Sequence, residues 1–444
     1  MTDSSSTWPE PGSGPVAVPA GRRARGAVRP PSSKSLTQRY YNLALLARGA
    51  TLVERPLRSS DCDGFLAGLR AVGCAVEDRG DAVAIRPPGA PGRATLDCGA
   101  SGTMLRLLTA SLCAVAGTWR LDGVARLRQR PLAALLEALR ALGARVESLE
   151  QPGFAPLEIR GGPLRGGAVT VDASESSQFV SALLMAGAAT RHGARLRAEG
   201  LVSRPYVELT LRALARFGVA AQPAGRESAR GAGPGVAEWA VPPTRPTGTR
   251  VRVAADASAA CYPAAAAAVT GGDVTLRGLD RESGQGDVGF LAVLAAMGAG
   301  VEWSGKAVRV RGRELRAVDV DLVAMPDQLP TLAALAPFAR GTTRIRNVRH
   351  ARLKESDRLA AMARELGRLG VPVGEEADGL AVAGCWAEGA PPADPVVVDA
   401  HDDHRIAMSC ALVGLRRPGV AIARPEVVAK SYPAFWDDLR RLLA

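Results

Sequence analysis

The scarcest basic residue in this chain is the most informative. Lys occurs only at 34, 306, 354 and 430, although Lys and Arg together number 56. A chain that uses Arg for nearly every cation has four exceptions to account for. Lys carries a compact ammonium that can give up a proton, whereas a guanidinium stays charged. Three of the four sit among other reactive side chains: Pro31-Ser32-Ser33-Lys34-Ser35 followed by Arg39, Leu353-Lys354-Glu355-Ser356-Asp357-Arg358, and Ala429-Lys430-Ser431-Tyr432. Lys306, in the turn-like Ser304-Gly305-Lys306, reads as incidental. Lys34 with Ser35 at a helix start suits a phosphate or carboxylate, although the Walker glycines of a nucleotide loop are absent. On a helix, Lys354 and Arg358 would share one face.

Two further clusters suggest other chemistry. Asp399-Ala400-His401-Asp402-Asp403-His404-Arg405 has the residue types of a metal site; His401 and His404, three apart, could share a helix face, and a metal-dependent hydrolase using them is one alternative. Arg405 would repel a cation there, so an acid-capped helix start holding an anion is the better reading. Gly284-Gln285-Gly286-Asp287-Val288-Gly289 has dinucleotide-loop spacing, but the strand expected before it ends near Arg277, too far back for the tight turn required. It reads as an ordinary repeat turn.

An internal repeat must position these residues. One phrase (short strand, turn, amphipathic helix, Gly, strand) starts at Leu52, Leu121, Leu196, Leu276 and Ile345, and a truncated sixth copy starts at Ile422. A second helix precedes each copy, apolar along its length and polar at its start, as expected of a buried helix with a capped, exposed N-terminus. These six starts carry Lys34-Ser35, Ser101-Gly102-Thr103, Ser176-Ser177, Ser258, Asp327 and Asp403-His404-Arg405. If the repeats share packing axes, the positive helix ends converge into an anion-binding cleft. The Gly/Pro-rich stretch from Gly225 to Arg250 reads as an irregular insertion near a lobe boundary. The segment before Lys34 has no repeat partner and is expected to complete the second lobe.

Composition narrows the class. The 444 residues are 47% hydrophobic and 23% charged, with a net charge of +12, which excludes a disordered or collagenous chain. The longest weakly polar run, Leu107–Trp119, is too short to span a bilayer. The polar N-terminus lacks the apolar region of a signal peptide, and residues 1–15 are expected to be a disordered tail. Seven scattered Cys without a CxxC pair suggest a reduced, cytoplasmic protein without disulfides or zinc. The basic excess is spread along the chain without interleaved aromatics, so small anions are preferred to nucleic acid as partners.

Taken in order, PxSKSxxxR, GTxxR, RQRP, SSQF, SRPY, PDQLP, LKESDR, DDHRIAM and AKSYP resemble the signature of the 5-enolpyruvylshikimate-3-phosphate synthase family, the 3-phosphoshikimate 1-carboxyvinyltransferases. The resemblance implies a two-lobed α/β enolpyruvyl-transferase fold, an inside-out α/β barrel. Each lobe holds three βαβαββ-type repeats around buried parallel helices and closes over the substrates. It implies an N-terminal lobe over 34–253 and a C-terminal lobe over 16–33 and 254–444. The implied reaction, in aromatic amino-acid and chorismate synthesis, moves the enolpyruvyl group of phosphoenolpyruvate to the 5-hydroxyl of shikimate 3-phosphate. It needs no metal or organic cofactor, and the implied protein is a cytoplasmic monomer and a glyphosate target. Residue by residue, the resemblance places Lys34, Ser35, Arg39, Ser176, Ser177, Gln178, Ser203, Asp327, His350 and Lys354 around shikimate 3-phosphate. It places Lys34, Gly102, Arg106, Arg130, Gln178, Arg358, Arg405 and Lys430 around phosphoenolpyruvate. Asp327, Glu355 and Lys34 fall at catalytic positions, Asp327 on the reacting hydroxyl and Glu355 as the acid near the methylene carbon.

The chain departs from the family pattern at Ser32 (usually Gly), Ala100 (commonly Asn) and Leu107 (often Pro); none of these removes a charged group. UDP-N-acetylglucosamine enolpyruvyl transferase, on the same fold, is the nearest alternative. It usually has Lys-Asn where this chain has Lys34-Ser35, together with a loop cysteine.

Overall fold

The computed structural model describes residues 14–224 and 235–444; most of the expected tail, residues 1–13, lies outside the described residues. Among the described residues, six sheets of three or four strands follow the repeats, and Leu315–Arg316 pairs separately with Ala339–Arg340. In the first repeat, Thr51–Glu54 pairs in parallel with Arg250–Arg252 and antiparallel with Ala82–Arg86, which pairs antiparallel with Ala75–Asp78. The same four-strand pattern recurs in the second to fifth repeats. The sixth has three strands, Val396–Val398 and Val420–Ile422 in parallel and Val16–Ala17 antiparallel to the latter. The N-terminal segment also adds Arg25–Val28 to the fourth repeat, parallel to Asp273–Arg277.

The outer helix of each repeat follows from its periodicity. In Arg358–Arg368 the buried Leu359, Met362 and Leu366 recur at helical spacing, so one stripe faces the sheet. The glycine that ends the repeated phrase has a conformational reason. Gly73, Gly143, Gly218, Gly298 and Gly370 all have positive φ, between 78° and 109°. This left-handed position reverses the chain from helix to strand, and a Cβ disfavours it.

The inner helices are Lys34–Leu46, Gly102–Leu112, Ser177–Gly187, Ala257–Thr270, Leu329–Leu335 and His404–Gly414. They are buried nearly all round, which explains their Ala, Leu and Ser content. Five have a side-chain cap on a backbone N–H, from Ser33, Ser101, Ser176, Asp256 and Asp403. The fifth helix is instead preceded by a 3-10 turn, Pro326–Gln328, which bears Asp327.

Two hydrophobic cores result. One runs from Leu36 to Val253; the other gathers Val18, Ala24 and Val28 with residues from Ala257 to Leu443. The two connecting segments lie side by side, Ser33 N–H donating to the Ala254 carbonyl and Asp256 N–H to that of Pro31, both at 2.8 Å.

Three expectations need correction. The Gly225–Arg250 stretch is not an irregular insertion throughout. Gly235–Val241 is a regular strand whose register sets Trp239 opposite Leu196, and Ala237, Trp239 and Val241 are buried. The flanking Gly and Pro obscured this alternation. Lys354 and Arg358 do not share a helix face, because the helix begins at Arg358 under an Asp357 cap and Lys354 is extended. Nor do His401 and His404 share one: His401 precedes the helix at φ +50°, and its Nε2 lies 3.0 Å from Glu365.

Candidate active site

The inner helix starts of both halves face one cleft. The first half contributes Lys34, Ser35 and Arg39 from one helix, Gly102 from the next, and Ser176, Ser177 and Gln178 from the third. Arg130 and Ser203 reach it from the loops between. Asp327, His350, Lys354, Glu355, Arg358 and Arg405 face them from the second half. A Cβ at Gly102 would lie 2.3 Å from Arg130 Nη1, so a side chain there would displace that guanidinium. The Arg130 guanidinium lies against the helix start, and its buried Nε has no hydrogen-bond partner among the described residues.

Two expected residues stand behind the wall. Arg106 is buried and donates to Gln178 Oε1 at 2.8 Å and to the Pro131 carbonyl at 3.2 Å. It orients Gln178, whose Nε2 donates to Thr103 Oγ1 at 3.0 Å. Lys430 Nζ donates to the Ala100 carbonyl at 3.0 Å and lies 3.4 Å from Glu355 Oε1. The bond uses the backbone of residue 100, so the departure from Asn leaves it intact. Arg39 lines the cleft, but its Nε, Nη1 and Nη2 already donate to Thr210 Oγ1, the Ser35 carbonyl and the Tyr206 carbonyl, at 2.8, 3.0 and 3.0 Å.

The cations are held by carboxylates that the sequence reading did not single out as counter-charges. Asp61 pairs with Lys34 at 3.1 Å. Asp403, fully buried, accepts from Arg358 Nε at 2.7 Å and Ser356 Oγ at 3.0 Å. Asp327 receives Arg358 at 2.8 Å and Arg405 at 2.7 Å, with Lys354 at 3.7 Å. Burial alone would raise the Asp327 pKa, but Arg405, Lys354 and Arg358 outweigh it and hold the group well below the carboxylate range. Glu355 is likewise held down against its burial by Lys430, Arg358 and Arg130. Its neighbours therefore favour the ionised form of Glu355. Burial is also the largest influence on Lys34, but Asp61 and Glu355 outweigh it and raise the pKa, keeping the ammonium charged. Burial, then Lys354, lowers His350 to about 3, so its ring is neutral beside Ser203 Oγ at 3.1 Å.

Arg126 was missed entirely. From the first half it donates to the Arg352 carbonyl at 2.9 Å, the Lys354 carbonyl at 3.2 Å and the Glu355 carbonyl at 3.3 Å. It clasps across the cleft the loop that presents Lys354 and Glu355. Hydrogen bonds from a charged donor contribute about 1.5–3 kcal/mol, so Arg126→Ala is expected to lower kcat/KM roughly 10–100-fold and to increase the radius of gyration in small-angle scattering. Unchanged values of both would show that the clasp does not hold the halves together.

Capped helix ends from two three-repeat halves converge on one cation-lined cleft, an arrangement suited to binding small anions. The model of the family described as EPSP synthase (3-phosphoshikimate 1-carboxyvinyltransferase) matches residues 18–439. The 3-phosphoshikimate 1-carboxyvinyltransferase of Syntrophobacter fumaroxidans is 44% identical over 93% of this chain and 96% of its own length. That of Thiobacillus denitrificans is 42% identical over 95% and 97%. Among solved structures, EPSP synthase from Acinetobacter baumannii superposes with a TM-score of 0.73 at 27% identity, over 96% of this chain and 97% of its own. The enolpyruvyl transferase NikO from Streptomyces tendae, at 21% identity and a TM-score of 0.76 over 97% and 98%, shares the fold. The chain belongs to the EPSP synthase family, the 3-phosphoshikimate 1-carboxyvinyltransferases of the shikimate pathway.

Proposed function

We propose that the chain transfers the enolpyruvyl group of phosphoenolpyruvate to the 5-hydroxyl of shikimate 3-phosphate, with Asp327, Glu355 and Lys34 moving the protons. The observation that carries this reading is the crowding of Arg358, Arg405 and Lys354 onto a single carboxylate, Asp327, at the centre of the cleft. Two multiply charged anions brought together repel strongly, and preorganised cations and helix ends offset that repulsion. Ser35, Ser176, Ser177 and Ser203, with Arg39 and Lys354, form the phosphate end for the shikimate ligand, Gln178 and His350 flanking its ring. Arg130, Arg358, Arg405 and Lys34, with the N–H of Gly102, receive phosphoenolpyruvate; Arg106 acts by orienting Gln178, and Lys430 by holding Glu355 and the Ala100 loop. Guanidinium forks match carboxylate and phosphate oxygens in pairs.

The steps balance. Asp327 takes the proton from the 5-hydroxyl as its oxygen bonds to C2 of the enol. The Lys34 ammonium gives a proton to C3. Glu355, already ionised, then removes a proton from the new methyl group as the C2–O bond to phosphate breaks; the proton held by Asp327 leaves on the phosphate, and the one taken by Glu355 restores the Lys34 ammonium.

We also propose lobes over 34–253 and over 16–33 with 254–444, supported by the two separate cores. A cytoplasmic monomer fits a site built within one chain and seven unpaired cysteines. Among the described residues no helix is long and apolar enough to cross a membrane. The test of the reaction is phosphate release with both substrates and with each omitted in turn. Release is expected only with both; release from phosphoenolpyruvate alone would overturn the assignment.

A further inference from the structure

Asp287 is a buried carboxylate that the reaction as described does not use. It is 2% exposed and lies behind Tyr206, outside the cleft wall. Its Oδ2 accepts from the Tyr206 hydroxyl at 3.0 Å and from Ser258 Oγ at 2.8 Å; its Oδ1 accepts from Gln328 Nε2 at 2.9 Å. The same Tyr206 hydroxyl lies 3.3 Å from Asp327 Oδ2. One phenol thus bridges two carboxylates, one at the reacting centre and one sealed behind it. Tyr206 stands on the helix Arg204–Arg216, in the first half, while both carboxylates belong to the second. The bridge therefore exists only when the halves meet.

We propose that Tyr206 and Asp287 form a proton relay that takes the substrate hydroxyl proton onward from Asp327. The inference rests on the reading of Asp327 as the base. When the O–H bond of the substrate breaks, its proton bonds to Asp327 Oδ2. That proton then passes to the phenolic oxygen of Tyr206 as the phenolic proton passes to Asp287 Oδ2. No electrons change hands, and one proton rests on Asp287 while the new C–O bond exists. It returns by the same path and leaves the site with the phosphate product.

The environments of the two carboxylates favour that direction. Asp327 is crowded by three cations and holds a proton poorly. Burial, then the charge of Asp327, raises the pKa of Asp287; the proton comes off the pair as a coupled unit, with Asp287 the better holder. The other charged or titratable groups facing Asp287 are Arg405, Cys261 and Tyr206. Burial raises both Cys261 and Tyr206 well above their usual range, so neither ionises on the acid side. A tyrosine that served only as an interlobe contact would not couple turnover to the ionisation of Asp287.

The test uses the full-length protein with Asp287→Asn, Tyr206→Phe, the double variant and Asp327→Asn, each checked by thermal melt. General acid–base groups supply ~10²–10⁴-fold in rate, and a relay that assists one is expected to supply about tenfold to a hundredfold of kcat. KM for both substrates should stay within about threefold. The relay accepts a proton only while Asp287 is ionised, so wild-type kcat falls as pH drops through the raised Asp287 pKa. In either single variant the path ends at Asp327, and the acid limb should move to lower pH. The double variant should lose no more than the worse single one, since both cut the same path. An acid limb unchanged in Tyr206→Phe, or additive losses, would overturn the relay. Near-normal activity in Asp327→Asn would overturn the base assignment and the relay with it. Loss in Asp327→Asn alone, with normal kcat and an unmoved acid limb in the other two, would remove only the relay. If Asp287→Asn fails to fold, Tyr206→Phe decides, because it cuts the path in the middle and keeps the ring.

Discussion

Asp327→Asn is expected to cut kcat by roughly 10²–10⁴-fold, the range of a lost general base, while thermal stability changes far less. The amide keeps the shape of the carboxyl group but cannot take the hydroxyl proton. It also leaves the buried Arg358 and Arg405 with less counter-charge at 2.8 and 2.7 Å. Arg358 keeps Asp403 at 2.7 Å and Glu355 at 3.0 Å, so the cation cluster should hold together. The substrates are anions, and losing a negative charge from the cleft should not weaken their binding. The loss is therefore expected in kcat, with KM for both ligands level or lower. Steady-state kinetics in both substrates checks this. A KM rise that accounts for the whole loss would make Asp327 a binding group and not a base. The depressed pKa sets a second expectation. The paired carboxylate stabilises the fold above its unfolded pKa, and that contribution is lost as pH falls through the lower folded value. Acid unfolding of wild type should therefore be steeper than that of the Asn variant.

The sixfold phrase was legible because each copy repeats one local solution: amphipathic helix, left-handed Gly, strand. The inner helix starts were legible because their caps are Ser and Asp residues just before apolar runs. Gly235–Val241 was not, because turn residues on either side hid a seven-residue alternation. The counter-carboxylates could not be read at all. Asp61 meets Lys34, and Asp403 meets Arg358, only after distant segments pack, and no spacing rule joins them. Arg126 was hidden for a related reason: it binds backbone carbonyls, which every residue has. Asp287 lay in plain view within Gly284–Gly289, but that turn matched a nucleotide loop badly enough to be set aside, and its one carboxylate went with it. Repeat architecture is a local signal, whereas ion pairing between repeats is not.

Lys430→Arg is expected to lower kcat/KM for phosphoenolpyruvate about 10²-fold, although charge is kept, while Lys306→Arg is expected to be silent. Lys306 is an exposed turn residue paired with Asp280 at 3.2 Å, and such surface pairs contribute about 0–1 kcal/mol. Lys430 is buried where the halves meet. Its ammonium faces the Ala100 carbonyl at 3.0 Å, Glu355 Oε1 at 3.4 Å and Asp61 Oδ1 at 4.0 Å. Three acceptors around one compact donor suit the three rotatable hydrogens of an ammonium. A guanidinium is longer and planar, and it cannot serve three acceptors spread around one point. It would push either Glu355 or the Gly102 helix start outward. Each carries part of the donor-substrate site, and a misplacement of ~1 Å can cost ~10²-fold in rate. The chain uses Arg almost everywhere else, so an ammonium at 430 marks a position where the fork does not fit. Comparing kcat/KM of the two variants, with folding checked by thermal melt, decides the matter. Equal activity would mean that the space around Lys430 accepts either cation and that its geometry does not position Glu355.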